Sequence, residues 1–147
     1  MPYTKIWIHA VWATYKRQPL LDSSIRPIVF KHIQVNAQKN DIYLDFINGY
    51  VDHVHCLISL RPDQCTAEVI KMIKGESSFW INKQKLINTK FKWQSEYYAV
   101  SISESQIHQV RKYIQNQEIH HQKKSFTDEC NEIVMRYRFE RHKLPKM

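Results

Sequence analysis

Residues 42–60 run IYLDFINGYVDHVHCLISL. Ile42, Leu44 and Phe46 alternate with Tyr43 and Asp45, the two-residue period of a strand that lays one face on a core. Asn48-Gly49 is a turn dipeptide, so a further strand follows and runs to Leu60, closed by Arg61-Pro62. In it Val54, Cys56, Ile58 and Leu60 share one face, while Val51, His53, His55 and Leu57 share the other. The first set is a core face. His53 and His55 therefore stand side by side on the opposite one, and Asp52 does not join them.

The flanks extend this hairpin into a sheet. Ile6, Ile8, Ala10 and Trp12 alternate with Trp7, His9 and Val11, a strand apolar on both faces and hence central. Ser23 or Ser24 opens a helix through about Asn40, striped by Ile28, Val29, His32, Ile33 and Val35. Thr66 is placed to cap a second helix carrying Val69, Ile70, Met72, Ile73, Phe79, Trp80 and Ile81. Tyr97 to Ile102 reads as a fourth strand. Ser103-Glu104-Ser105-Gln106 has the form of a capping box, predicting a helix from there to about His121. A last helix starts after Ser125 or Thr127 and includes Ile133, Val134 and Met135. The order β-α-β-β-α-β-α predicts an α+β, ferredoxin-like (split βαβ) antiparallel sheet, with helices on one face and an appended C-terminal helix.

At 147 residues the chain is expected to form one domain, residues 1–147. Its net charge of +8 favours polyanionic partners. Cys56, Cys65 and Cys130 form no close pair and fit a reducing, cytoplasmic setting. No apolar run is long enough for a signal peptide or a membrane span. With only two glycines, Gly49 and Gly75, the chain can build neither a Walker A loop nor a dinucleotide fingerprint.

Two imidazoles on one strand face suit either a shared metal or structural hydrogen bonding, and no Cys-x-x-Cys spacing supports a structural zinc site. His9 reads as a packing residue. On the helix after Ser103, Ile107, Val110 and Ile114 form the apolar stripe. Tyr113 and Gln117, at i and i+4, lie together along its edge. Gln117 can offer a carbonyl oxygen to a metal and Tyr113 a hydroxyl, although a half-buried tyrosine with a wet hydroxyl is the ordinary alternative. His120-His121 reads as polar surface in the last turn, where cationic character suits the helix dipole. A divalent ion with open positions neutralises a phosphodiester and eases deprotonation of a phenol, whose pKa is otherwise near 10.

Asp52-His53-Val54-His55-Cys56-Leu57, Lys74-Gly75-Glu76-Ser77-Ser78, Trp93-Gln94, Ser101-Ile102-Ser103, Tyr113-Ile114-x-Asn116-Gln117, His120-His121 and Ser125-Phe126 occur in one order. Together they resemble the single-tyrosine HUH transposases of small bacterial insertion sequences, which include the REP-associated tyrosine transposases. The resemblance spans about residues 3 to 136. It implies that Tyr113 is the nucleophile and that His53, His55 and Gln117 hold one divalent metal, Mg²⁺ or Mn²⁺. It further implies a substrate of single-stranded DNA with hairpins at element ends, cut to a 5′-phosphotyrosine and a free 3′-hydroxyl. A homodimer in the bacterial cytoplasm, its tyrosine helix completing the partner's site, belongs to the same expectation. Lys71, Lys74, Arg111 and Lys112 are candidates for DNA phosphate contacts, or are solvated charges. Trp93, Tyr97 and Tyr98 stack on bases or pack in the core. Glu96-Tyr97-Tyr98 and the basic tail (Arg138, Arg141, Lys143, Lys146) depart from the family pattern. The alternative is a non-catalytic or domesticated hairpin-binding protein of the same fold.

Overall fold

In the computed structural model, which describes residues 1–122 and 124–137, the central strands are β1 (Ile6–Ala13) and β3 (His53–Leu60). β2 (Tyr43–Tyr50) flanks β3 and β4 (Tyr98–Ile102) flanks β1, giving the order β2-β3-β1-β4 with every neighbouring pair antiparallel. This is the ferredoxin-like α+β sheet expected from the pattern. The basic tail from Arg138 lies outside the described residues, and no helix among them is long and apolar enough to cross a membrane.

Helices α1 (Arg26–Lys39) and α2 (Thr66–Gln84) cover one face of the sheet. Val54, Cys56, Ile58 and Leu60 of β3 meet Ile8, Ala10 and Trp12 of β1 beneath Val29, Ile33, Val69, Ile70, Ile73 and Ile81. The opposite face carries α3 (Ile107–Gln115), α4 (Gln117–His121) and α5 (Phe126–Tyr137). It holds two small apolar clusters, Trp7, Leu57, Ile107 and Ile114 in one, and Val11, Ala13, Phe126 and Cys130 in the other. His9, His53 and His55 are buried on the strands that carry both clusters.

Several local expectations are corrected. Asn48-Gly49 is not the turn. β2 continues through both residues, Gly49 stands opposite Val54, and the chain reverses at Val51-Asp52. Glycine is required there by close approach, since a Cβ would fall 2.2 Å from the His53 carbonyl oxygen and 2.9 Å from Val54 Cα. The Asn48 side chain acts elsewhere. Its Nδ2 donates to the carbonyls of Ile114 at 3.0 Å and Gln115 at 3.1 Å, tying the end of α3 to the sheet. The helix expected to run unbroken to His121 is interrupted at Asn116, so Asn48 satisfies carbonyls that the break would leave free.

Asp22, rather than Ser23 or Ser24, initiates the α1 region, its Oδ1 accepting the backbone N–H groups of Ser24 and Ile25. Thr66 is the first helical residue of α2 and not its cap, and of the apolar residues on that helix Met72 and Phe79 are exposed. Ser103 makes no capping hydrogen bond; a 3-10 turn, Glu104–Gln106, leads into α3 instead. Ser125 does open α5, accepting the N–H of Asp128. In β2 the register shifts between Leu44 and Phe46, and Asp45 in this bulge pairs with Arg111 of α3.

Gly49→Ala should lower unfolding free energy by about 1–3 kcal/mol, the cost of forcing an atom into a packed backbone contact. The urea midpoint of the variant measures it, and an unchanged midpoint would contradict the close approach of β2 to β3.

Candidate active site

Strand alternation alone delivers His53 and His55 to the face under α3, α4 and α5, where both are fully buried. α3 supplies Tyr113 and α4 supplies Gln117, whose Nε2 reaches back to the Tyr113 carbonyl at 3.4 Å across the break. From α5 comes Glu129, whose carboxylate has no solvent exposure. The four sequence-predicted chemical residues, Tyr113, His53, His55 and Gln117, thus stand together in one chain.

Glu129 joins them. Its Oε1 lies 3.3 Å from His53 Nε2, 3.2 Å from His55 Nε2 and 3.2 Å from His121 Nε2. Its Oε2 accepts hydrogen bonds from the Tyr113 hydroxyl and, at 3.2 Å, from Gln117 Nε2. His120 Nε2 is 3.2 Å from the same oxygen without the geometry of a hydrogen bond. Gln117 Oε1 faces His53 Nε2 and His121 Nε2, each at 3.0 Å. The amide orientation follows from the network: reversed, it would set the Gln117 oxygen against Glu129 Oε2.

The far sides of the imidazoles decide what these nitrogens carry. His53 Nδ1 is 2.8 Å from Asp52 Oδ1, and His121 Nδ1 is 2.8 Å from the Lys124 carbonyl oxygen. Both partners are acceptors, so both Nδ1 atoms hold protons. In the neutral rings, Nε2 then presents a lone pair to oxygens that also carry lone pairs. Such a cluster needs a cation, either an added proton or a metal ion. Imidazoles held at Nδ1 by a carboxylate or carbonyl are the usual outer arrangement of metal-ligating histidines, so the donor set fits a divalent ion. His9 Nε2 meets His55 Nδ1 at 2.9 Å and can fix the third ring in the same tautomer. Phe126 stacks on His53 at 4.0 Å and Tyr50 on His121 at 5.4 Å, holding both rings in orientation.

Electrostatics follow from burial and from Glu129. Burial, then the neighbouring His55, lowers the His9 pKa to about 3, and burial lowers that of His55 to about 4. Burial also works against a charged His53, but its hydrogen bonds to Asp52 and Glu129 outweigh this and raise its pKa. Glu129 is held far below the usual carboxylate range despite its burial, because His121, His53 and His55 favour the ionised form. Burial and the Glu129 charge push the Tyr113 phenol up, favouring its protonated form.

The four basic candidates separate. Lys71 and Lys74 sit on α2, on the far side of the sheet; Lys71 is exposed, whereas Lys74 Nζ donates to the carbonyls of Gln94 and Ser95. Arg111 makes a two-pronged pair with Asp45 at 2.7 and 2.8 Å, and Lys112 is exposed on α3. Trp93 is a core residue whose Nε1 donates to Ser77 Oγ, and Tyr98 packs beside the Val11, Ala13, Phe126 and Cys130 cluster.

Four residues of the network were not expected from the sequence. His9 is a hydrogen-bonding partner and not only a packing residue. Asp52, set apart by strand alternation, curls at the turn to hold His53. His121 is no surface group, its side chain being 2% exposed. Its signal was present, since His121 continues the i, i+4 series of Tyr113 and Gln117. Glu129 also left one: Phe126, Cys130 and Ile133 form the buried stripe of α5, and a carboxylate falls within it.

A family model described as IS200-like transposase matches residues 2–117. The ISDra2 transposase TnpA of Deinococcus radiodurans is 26% identical over 115 residues, covering 74% of this chain and 81% of that protein. Among solved structures, a candidate transposase of Deinococcus radiodurans R1, at 1.90 Å resolution, superposes with a TM-score of 0.64 at 23% identity, over 79% of this chain and 93% of that one. A REP-associated tyrosine transposase bound to a REP hairpin superposes with a TM-score of 0.58 at 17% identity, over 82% of this chain and 72% of that one. At these identities the two structures bear on the fold.

Acid should loosen the metal-free protein before ordinary carboxylates titrate. The folded pKa values of His9 and His55, about 3 and about 4, lie below the usual 6.5. Their contribution to stability is therefore complete above pH 6.5 and is lost as pH falls through 4 towards 3. His53, raised, contributes in the opposite sense, chiefly below pH 6.5. The urea midpoint should fall between pH 6.5 and 4, less steeply in His9→Gln; a flat midpoint would mean that these rings are not buried neutral.

Proposed function

The chain belongs to the IS200-like transposase family, and from that premise we propose that it cuts and rejoins single-stranded DNA at hairpin-flanked element ends through a 5′-phosphotyrosine on Tyr113. The observation that carries this reading is the meeting of Tyr113 with His53, His55 and Gln117 in one buried network. A binding surface alone has no need of a phenol hydrogen-bonded to a carboxylate beside two imidazoles.

In the proposed reaction the Tyr113 Oη attacks phosphorus and the bond from phosphorus to the 3′-oxygen breaks. The DNA 5′-phosphate stays on the tyrosine and the 3′-oxygen leaves, taking up a proton to become a hydroxyl. Glu129 Oε2 already accepts the phenol hydrogen and is placed to take that proton as the new bond forms. The phosphotyrosine conserves the energy of the broken bond, so a DNA 3′-hydroxyl can reverse the attack and rejoin strands. His53, His55 and Gln117 would hold Mg²⁺ or Mn²⁺, which supplies Lewis-acid charge against the phosphate and eases ionisation of the phenol. Asp52 and His9 keep the two strand histidines in their lone-pair-inward tautomers.

The net charge of +8 suits a polyanion, and a structural neighbour is described as bound to a REP hairpin. Lys71 and Lys112, both exposed, are the freer of the candidate phosphate contacts; Arg111 would have to leave Asp45, and Lys74 its two carbonyls. The reading includes a bacterial cytoplasmic homodimer in which the tyrosine helix of one copy completes the partner's site. The helix is held to the sheet by Asn48 and a small apolar cluster, contacts that a second copy's helix can reproduce.

Single-stranded oligonucleotides bearing the hairpins that flank the coding sequence, incubated with Mn²⁺, should give a covalent protein–DNA adduct on a denaturing gel. Tyr113→Phe should abolish the adduct and leave hairpin binding in a native gel unchanged. Persistence of the adduct in that variant would remove Tyr113 as nucleophile. Hairpin binding by wild type without any adduct would favour the binding-only alternative.

A further inference from the structure

We propose that His121 and Glu129 are metal ligands beside His53, His55 and Gln117, completing a site of three imidazole nitrogens and two oxygens that prefers a first-row transition ion to Mg²⁺. The inference rests on the metal reading above and extends it to residues outside the matched segment, which ends at Gln117.

The convergence of imidazole nitrogens on one buried carboxylate is what points to an ion. Donor atoms bonded to one ion at about 2.1 Å stand about 3.0–3.4 Å from their neighbours in the shell. Here His53 Nε2 and His121 Nε2 each lie 3.0 Å from Gln117 Oε1. The three Nε2 atoms of His53, His55 and His121 lie 3.3, 3.2 and 3.2 Å from Glu129 Oε1. Three imidazole nitrogens thus converge on Glu129 Oε1, and the donor sets close enough to share an ion, His53-His55-Glu129 and His120-His121-Glu129, meet at that carboxylate. His121 has the same outer fixation as His53: Nδ1 is tied to an acceptor, and Nε2 aims a lone pair inward from a side chain 2% exposed. Glu129 supplies the one full negative charge in the set and is completely buried, a position costly for a carboxylate without a cation beside it.

Selectivity follows from ligand type. Mg²⁺ is a hard ion that keeps waters and takes oxygen, whereas three imidazoles suit the transition ions. Five protein donors leave a six-coordinate ion one position for a phosphate oxygen. Glu129 Oε2 remains turned toward Tyr113, so the same carboxylate would join the ion to the phenol.

The test is calorimetric titration of the metal-stripped full-length protein with Mn²⁺ and with Mg²⁺, together with pulsed EPR of bound Mn²⁺. His121→Gln and Glu129→Gln should each weaken Mn²⁺ binding about tenfold or more, as should His53→Gln. Wild type should show nitrogen couplings from three imidazoles and bind Mg²⁺ far more weakly. Full-strength Mn²⁺ binding by the His121 and Glu129 variants, with loss in His53→Gln, would overturn the two added ligands and leave the His53-His55-Gln117 reading standing. Couplings from only two imidazoles in wild type would remove His121 from the ligand set, whatever the variants' folding. Equal affinity for Mg²⁺ and Mn²⁺ would overturn the selectivity, and no binding of either ion would overturn both metal readings.

Discussion

A carboxylate with no access to water governs the face of the sheet that carries the chemistry. Stranding an ionised side chain in a protein interior costs several kcal/mol even after relaxation, and removing one partner of a buried ion pair costs about 3–5 kcal/mol. Glu129 avoids that cost by spreading its charge over imidazoles from β3 and α4, an amide from α4 and a phenol from α3. Those partners come from separate parts of the chain, so α5 is seated by polar complementarity as much as by Phe126 and Cys130. The apolar clusters on this face are small. Their limited area makes the polar network between them a principal determinant of how α3, α4 and α5 meet the sheet.

The rest of the architecture supports that network. β1 and β3 are central and buried on both faces, so the backbone under the histidines is fixed by hydrogen bonds on either side. The break at Asn116 lets α3 and α4 deliver Tyr113 and Gln117 to a common point, and Asn48 stabilises the break from the neighbouring strand. The Asp45 bulge fixes the other side of α3 through Arg111. The chain thus holds Tyr113 on a helix tied to the sheet at its middle by Arg111 and at its end by Asn48.

Much of this was legible in the order of residues, because period and spacing are local. Alternation in β3 separates His53 and His55 from Val54, Cys56 and Ile58, and the i, i+4 rule pairs Tyr113 with Gln117. What escaped was decided by contact between distant segments. Asn48-Gly49 carries turn chemistry in isolation, yet Gly49 is needed because another backbone passes over it and Asn48 because a helix ends above it. Asp52 alternates away from the histidines along the backbone, but at a chain reversal the side chain can turn back to its neighbour. Glu129 is the sharpest case. Its place on the apolar stripe of α5 marks it as buried, but nothing local says that other segments neutralise it.

The tautomers constrain how such a site can work. With Nδ1 of His53 committed to Asp52, the ionised Glu129 is balanced by a proton on His53 Nε2, consistent with its raised pKa. A divalent ion binding through the same nitrogen must displace that proton, so metal and protons compete for one set of lone pairs. The exchange also alters Tyr113. While only imidazoles balance Glu129, the carboxylate retains the phenol hydrogen and its charge disfavours a phenolate. A cation on Glu129 Oε1 would draw that charge inward and weaken the opposition to ionising the phenol at the carboxylate's other oxygen. Glu129 thus links the imidazole cluster to the tyrosine hydroxyl directly, one oxygen facing each.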